Sequence, residues 1–170
     1  HATIRRQRQM CIRDRDNSVQ IKIKAASLNF PDLLMTQGKY QNRPDLPFAL
    51  GMEGAGIVEK VGSGVSSFKE GDEVMFGGWG HGAIAESIIL PEGLVSLKPK
   101  SLNFSEAASF KTAYLTAYVG LIRRGELKQG ETLLVHGASG GVGMAAVQMG
   151  KLYGARAVSY THLRAHETSE

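Results

Sequence analysis

The chain has 170 residues, of which 42% are hydrophobic, and carries a formal net charge of +4. This length accommodates one ordinary domain or parts of two, and the composition is that of a globular protein. No apolar run reaches the roughly 18–20 residues of a membrane-spanning helix and the N-terminus has no secretory signal pattern, so we expect no membrane partner.

The basic charge is concentrated in the N-terminal flank, where residues 1–15 contain five Arg and one Asp. The core, residues 16–158, has nearly balanced charge and offers no basic face, so we expect no nucleic-acid partner. Both flanks, residues 1–15 and 159–170, resemble translated sequencing-adapter DNA, and we expect them to be non-native. The single cysteine, Cys11, lies in the first flank, and a core without cysteine is compatible with the cytoplasmic location that we expect.

The first half of the core predicts short strands. Residues 19–25 alternate apolar and polar side chains, as does a strand with one buried face. Pro31 then suits the start of a short helix and Gly38 its end, with a loop over residues 41–47. Further strands are expected at residues 57–61, 73–76, 83–90 and 94–98. Short strands separated by glycine turns are typical of a small β-barrel or sandwich.

Helical character begins at Ser105, a candidate N-cap followed by Glu106, and we expect one long helix over residues 107–122 that Arg123 and Arg124 close. The apolar run of residues 132–136 predicts a buried strand. Apolar side chains at helical spacing then predict a helix from Val142 to Leu152. Another strand is expected from Ala155.

A glycine turn joins that strand to that helix. Aligned on its last glycine, the dinucleotide fingerprint G-x-G-x-x-G reads Ala138-x-Gly140-x-x-Gly143, with alanine at the first position. A strand, a glycine turn and a helix together let main-chain N–H groups meet a phosphate. The alternative is a glycine-rich turn that binds nothing. The residues predicted to bind a dinucleotide here are Ala138, Ser139, Gly140, Gly141, Val142 and Gly143.

Five collinear stretches resemble one family, and they read ASLNFPDLLMTQGKY, LPFALGMEGAGIVEKVGSGV, FKEGDEVMF, LTAY and GETLLVHGASGGVG. They are similar to the N-terminal half of zinc-independent medium-chain dehydrogenases/reductases of the quinone oxidoreductase (zeta-crystallin-like) type. The resemblance implies an α/β fold with a β-barrel. A GroES-like catalytic domain would cover residues 16–112, and the first βα unit of a truncated Rossmann fold would cover residues 113–158.

The residue types argue against a metal site. Where zinc alcohol dehydrogenases of this superfamily have Gly-His-Glu, this chain has Gly51-Met52-Glu53, and a thioether is a poor substitute for a histidine ligand of zinc. The family's catalytic cysteine position falls near Asn29. His81 and His136 have no carboxylate at a ligand spacing, so we expect a loop role and a strand-end role for them.

The resemblance implies hydride transfer from NADPH, with NADH as the alternative, to a small-molecule quinone or activated alkene. A 2-enoyl thioester or enone reductase is the alternative within the enzyme class, and relatives are often homodimers. The alternative from another class is a non-catalytic truncated remnant. Such a remnant would not bind NADPH tightly and would expose apolar surface along residues 133–135 and 142–152.

The resemblance also assigns candidate site residues. It places Asn29, Asp32 and Tyr40 around the acceptor, with Tyr40 or Asn29 orienting or polarising the acceptor oxygen, and it places Thr116 near the nicotinamide. Each has a simpler alternative. Asn29 and Asp32 could cap the backbone around Pro31, Tyr40 could be a half-buried aromatic at a loop edge, and Thr116 could be an ordinary helix residue.

Overall fold

The computed structural model of the chain describes residues 16–77 and 82–160. The predictions for His81, for residues 1–15 and for most of residues 159–170 lie outside the described residues. The chain divides into two compact units, one ending at Lys111 and the other beginning at Thr112. The sequence predicts the domain boundary between residues 112 and 113.

The first unit is built on an antiparallel sheet with the strand order β4-β1-β2-β3-β5 in the described residues. Register irregularities in β1 after Gln20 and after Ile23 increase the local twist and help the sheet to curl. The curled sheet confirms the expected GroES-like fold, and the expected β-barrel takes the form of a half-barrel. Its strands are β1 (Ser18–Ser27), β2 (Glu53–Val61), β3 (Glu73–Phe76), β4 (Ser87–Pro91) and β5 (Val95–Leu97).

Period-2 alternation explains how this sheet is buried. Val19, Ile21 and Val74 are 0% exposed and form one core cluster with Val58 and Phe76. A second cluster combines side chains from the strands with the helical segment that follows β5. Both sheet faces are therefore covered, at least in part. The buried members of this second cluster are Ala55, Met75, Ala107 and Ala108.

Two predicted strand starts are wrong by four residues each. β2 begins four residues before the predicted Ile57, because Gly56 lets β1 approach: a Cβ at Gly56 would lie 2.1 Å from the Lys22 carbonyl oxygen. The strand predicted from residue 83 begins only at Ser87. The amide of Ala83 instead donates to the carbonyl of Gly51 at 3.0 Å, outside the sheet ladder.

The short helix predicted after β1 is confirmed as α1 (Phe30–Thr36). Its end is fixed at Gly38, which has a φ of 64°. The Gly38 amide donates to the Met35 carbonyl at 3.0 Å, and the Lys39 amide donates to the Leu34 carbonyl at 2.9 Å. These two bonds satisfy the last helical carbonyls in a Schellman motif.

The single long helix predicted over residues 107–122 is wrong. The structure has α2 (Phe104–Ala108), α3 (Lys111–Tyr118) and a π-helical turn (Val119–Arg124), and a one-turn 3₁₀ helix (Glu92–Leu94) lies earlier in the chain. The break follows α2, where the Ser109 hydroxyl donates to the carbonyls of Ser105 and Glu106, both at 3.2 Å.

The predicted N-cap of α2 is also wrong, because Asn103 occupies that position in place of Ser105. Asn103 Oδ1 accepts from the Glu106 amide at 2.9 Å, and Glu106 Oε2 accepts from the Asn103 amide at 2.8 Å. This reciprocal capping box requires a spacing of three residues. Ser105 and Glu106 are adjacent and cannot form it.

The second unit contains β6 (Thr132–His136), α4 (Gly141–Leu152) and β7 (Arg156–Tyr160), with β6 and β7 parallel. This unit confirms the predicted opening of a Rossmann fold. Its buried core contains Ala113, Ala117, Val135, Ala145 and Ala146.

Apolar surface is exposed on this unit, as expected along residues 133–135 and 142–152. Leu134 is 56% exposed on β6, and Met144 is 51% and Leu152 83% exposed on α4. The expectation is wrong for Val135, which is only 7% exposed, because it packs in the core cluster shared with α4. Among the described residues, no helix is both long enough and apolar enough to cross a membrane.

Candidate functional site

The polar site of the first unit begins at the junction between β1 and α1. Asn29 is the N-cap of α1, and its backbone N–H donates to Asp32 Oδ2 at 2.8 Å. The other oxygen of Asp32, Oδ1, accepts from the Gly51 amide at 2.9 Å. Asp32 is only 2% exposed. Its carboxylate therefore ties the start of α1 to the segment that leads into β2.

A second buried carboxylate, Glu53, lies beside the Asn29 side chain. Glu53 is 1% exposed, and its Oε1 accepts from the Ser27 hydroxyl at 2.6 Å and from Asn29 Nδ2 at 2.9 Å. Asn29 Nδ2 also lies 3.3 Å from Ser27 Oγ. Sequence reasoning missed Glu53 and Ser27 as site residues. Both lie in stretches that match the family, and Glu53 stands at the Glu position of the Gly-His-Glu signature, which is the signal that could have found it. Their contacts could not be read locally, since Glu53 is 24 residues from Asn29 and 26 residues from Ser27.

Gly77 lies between Glu53, at the start of β2, and Lys111. A Cβ at Gly77 would lie 2.9 Å from the Cβ of Glu53 and 3.1 Å from the Cβ of Lys111, so a larger residue there would push the two segments apart. The Lys111 ammonium donates to the Leu94 carbonyl at 3.2 Å. Burial lowers the pKa of Lys111 below its ordinary value of 10.5, because the charged form loses hydration.

Tyr40 lies two residues beyond Gly38 and is half-buried. The structure brings Asn29 and Asp32 into direct contact, whereas the Tyr40 hydroxyl makes no hydrogen bond to another described residue. A phenol hydroxyl can both donate and accept. Tyr40 therefore offers a hydrogen-bond donor that the described part of the fold does not use.

Zinc ligands were sought in the part of the chain that the structure describes. Structural and catalytic zinc sites use Cys, His and carboxylate ligands in close groups of three or four. Among the described residues, no group of three or more His, Cys, Asp or Glu could hold a metal ion. The two positions that align with the family's zinc ligands hold an amide, Asn29, and a thioether, Met52.

The second unit presents the predicted strand, glycine turn and helix. Gly140 is the N-cap of α4 without a side-chain cap, and the first turn contains no acidic residue. The Gly140 amide donates within the turn to the Gly137 carbonyl at 3.0 Å. The next three amides, of residues 141–143, donate to no other described residue. They form the positive end of a 12-residue helix, which favours an anion.

The glycines of this turn serve two different purposes. A Cβ at Gly143 would lie 2.3 Å from the Gly137 carbonyl oxygen, so the turn itself requires glycine there. A Cβ at Gly140 would meet nothing closer than that same oxygen at 3.5 Å, and a Cβ at Gly141 nothing closer than Ala113 at 3.9 Å. These two positions leave open space, which suits close approach of a diphosphate.

The remaining candidates of this unit are polar or small. Thr116 is exposed on α3, and its hydroxyl donates to the Thr112 carbonyl at 2.6 Å, so the lone pairs of its oxygen stay available. Ser139 is exposed in the turn and Ala138 is half-buried. The left-handed φ of 67° falls on Gly137, one residue before Ala138.

Known proteins resemble this chain over most of its length. The alcohol dehydrogenase GroES-like domain matches residues 15–100. The synaptic vesicle membrane protein VAT-1 homolog of Rattus norvegicus is 44% identical over 135 residues, covering 77% of this chain and 32% of the relative. The quinone oxidoreductase of Sus scrofa is 41% identical over 140 residues, covering 82% of this chain and 43% of the relative.

Solved structures share the same fold. Escherichia coli quinone oxidoreductase complexed with NADPH aligns with a TM-score of 0.77 at 38% identity, over 85% of this chain and 44% of that chain. CurK enoyl reductase aligns with a TM-score of 0.77 at 35% identity, over 84% of this chain and 45% of that chain. The chain thus spans about a third to a half of the length of the proteins that it matches.

Proposed function

This chain belongs to the alcohol dehydrogenase GroES-like family, and from that premise we propose that the protein containing it transfers a hydride from NADPH to a quinone or an activated alkene without a metal ion. The observation that carries the proposal is the open glycine turn at the start of α4. Its free amides and the space at Gly140 and Gly141 suit a diphosphate. The similarity to quinone oxidoreductases supports the choice of reaction.

In the second unit, the amides of residues 141–143 would hold the dinucleotide diphosphate. They combine main-chain donors with the positive end of the helix dipole, as at other phosphate sites. The bound nicotinamide would supply the hydride. Thr116 would accept a hydrogen bond from the cofactor, since its own hydrogen is donated to Thr112.

In the first unit, Tyr40 and Asn29 would act on the acceptor. Hydride addition to a quinone or an enone places negative charge on oxygen, and oriented donors that face this oxygen lower the barrier. The Tyr40 hydroxyl is one donor that the described residues leave unused. Asp32, whose oxygens both accept backbone amides, would act by holding the chain at Asn29 in place.

A 2-enoyl thioester or enone reductase is the second candidate. The observation in its favour is the likeness to CurK enoyl reductase at 35% identity. Both reactions need the same hydride source and the same stabilisation of a developing oxyanion. The size and polarity of the acceptor decide between them.

The experiment measures NADPH oxidation by the full-length protein that contains this segment, with a benzoquinone and with an enoyl thioester as separate acceptors. We expect turnover that a metal chelator leaves unchanged. Tyr40→Phe should lower kcat by about 10- to 100-fold. Tyr153→Phe is the matched control, because its hydroxyl belongs to a 41% exposed side chain at the end of α4.

The outcomes separate the candidates. Faster turnover of the thioester would favour the enoyl reductase. Loss of turnover after chelation would contradict the metal-free reaction, and absence of turnover with either acceptor would contradict the proposed function.

A second experiment titrates the 170-residue chain alone with NADPH. Because the exposed apolar surface of Leu134 and Leu152 suggests an incomplete unit, we expect no tight binding there, and micromolar saturation would contradict this expectation.

A further inference from the structure

Glu53 is a buried carboxylate to which the proposed hydride transfer assigns no task. We propose that Glu53 is a positioning residue that, together with Ser27, fixes the direction in which the Asn29 amide faces the acceptor. The inference rests on the proposed function, because that function places Asn29 at the acceptor. It extends the function by adding a residue that acts through Asn29 without touching the substrate.

The three polar atoms form a closed triangle. Ser27 Oγ lies 2.6 Å from Glu53 Oε1, and Asn29 Nδ2 lies 2.9 Å from Oε1 and 3.3 Å from Oγ. Seen from Nδ2, these distances place the two oxygens about 50° apart, far less than the roughly 120° between the two N–H bonds of an amide. One N–H bond can therefore serve both oxygens. In the proposed arrangement it does so, and the second N–H bond is the donor that faces the acceptor.

Only one orientation of the amide suits this triangle. An ionised carboxylate only accepts hydrogen bonds, and the Ser27 hydroxyl hydrogen is already directed to Glu53 Oε1. If the Asn29 amide were rotated by half a turn, its carbonyl oxygen would face Oε1 at close range. Two acceptors would then meet in a buried place, which is costly. Glu53 thus prevents the flip that would exchange the N–H group for a carbonyl oxygen.

Asp32, the second buried carboxylate of the site, holds the backbone of Asn29. The Asn29 amide N–H donates to Asp32 Oδ2 at 2.8 Å, so both the main chain and the side chain of Asn29 are fixed by acceptors that are nearly inaccessible to water. A donor held in this way needs no reorganisation when charge develops on an acceptor oxygen. A purely structural Glu53 would support the fold and leave catalysis through Asn29 unaffected.

A double-mutant cycle in the full-length protein separates these two roles. We expect Asn29→Ala to lower kcat about 100-fold and Glu53→Leu to lower it at least about tenfold, with an unchanged KM for NADPH. The double variant should lose no more than Asn29→Ala alone, since Glu53 acts through Asn29. Glu53→Gln retains an acceptor oxygen and should recover most of the activity.

Glu59→Leu provides the matched control. Glu59 lies on the same strand, β2, and its Oε2 accepts from the side-chain amide of Gln20 at 3.0 Å. This variant should keep the kcat of the parent. Additive losses in the double variant, or an equal loss of kcat in Glu59→Leu, would overturn the positioning role.

NMR of the Asn29 side-chain amide gives a readout that does not depend on turnover and is taken first on the parent protein. In the parent protein, one of its two hydrogens should exchange slowly with water and resonate downfield, and Glu53→Gln should retain this signature. If both hydrogens exchange fast with water in the parent, the proposal is overturned. If the parent does not turn over NADPH, the proposed function fails while this measurement still decides the orientation. If the parent is active and Asn29→Ala keeps its kcat, the function stands and the inference fails.

Discussion

Replacing single glycines of the turn before α4 by alanine should separate folding from cofactor binding. At Gly143 the added methyl carbon would lie 2.3 Å from the Gly137 carbonyl oxygen and 2.8 Å from the Ala138 Cα. Both neighbours are backbone atoms, so relief requires the turn to move. Overpacking of this kind costs about 3 kcal/mol at the upper end of its usual range, and the better helix propensity of alanine returns about 1 kcal/mol. Gly143→Ala should therefore lose about 2 kcal/mol of unfolding free energy.

Gly140→Ala is the matched substitution. Its methyl carbon would lie 3.5 Å from the nearest atom, at a φ of −80° that alanine adopts freely. The poorer N-cap costs about 0.5–1 kcal/mol, and the smaller chain entropy of the unfolded state returns about 0.4–1 kcal/mol. The unfolding free energy should stay within about 0.5 kcal/mol of the parent. Because the methyl group would occupy space proposed for the diphosphate, NADPH affinity should fall at least about tenfold.

The assays are chemical denaturation and NADPH titration by nicotinamide fluorescence, carried out on the full-length protein. A Gly140→Ala variant that binds NADPH as tightly as the parent would show that the diphosphate does not occupy the space at Gly140. A Gly143→Ala variant with the unfolding free energy of the parent would show that the turn accommodates a Cβ at position 143.

Three further predictions concern the first unit. Asp32→Asn should lower the unfolding free energy by about 2–3 kcal/mol, because one of the two backbone amides that Asp32 now accepts from would face the NH₂ group of the new side chain. Chemical denaturation measures this loss, and an unchanged midpoint would contradict the prediction. Gly56→Ala should prevent β1 and β2 from pairing, since its Cβ would lie 2.1 Å from the Lys22 carbonyl oxygen. In the control variant Gly93→Ala the added Cβ meets no atom within 4 Å, so this variant should fold normally. Circular dichroism compares the two variants. The lowered pKa of Lys111 means that, between that pKa and 10.5, the unfolded state binds more protons than the folded state, so stability rises with pH in this window. Lys111→Gln should remove that rise, and denaturation across this pH range would show whether it persists.

Local signals with a fixed spacing could be predicted from the sequence, as Gly38 and the glycine turn illustrate. The end of α1 follows from the conformational freedom of one glycine. The turn before α4 follows from a strand, a glycine run and apolar residues at helical spacing. The cap of α2 also carries a local signal, because Asn103 and Glu106 have the spacing of a capping box. Residue type and the adjacent charge of Glu106 favour Ser105 only when that spacing is left out.

The features that depend on distant partners could not be predicted. Glu53 aligns with the Glu of the family's Gly-His-Glu signature, but its burial follows only once Ser27 and Asn29 meet it across the sheet. The early start of β2 depends on the approach of β1 to Gly56. The end of α2 depends on how the Ser109 hydroxyl binds carbonyls of the preceding turn, which competes with continuation of the helix.

The central claim is that the amides at the start of α4 bind the diphosphate of a dinucleotide. Its most direct test follows the backbone amide NMR signals of the isotopically labelled full-length protein during titration with NADPH. We predict large, saturable shifts at Gly141, Val142 and Gly143, with much smaller ones at Glu59 on β2. Saturable binding of NADPH that leaves the three turn amides unshifted would contradict the account.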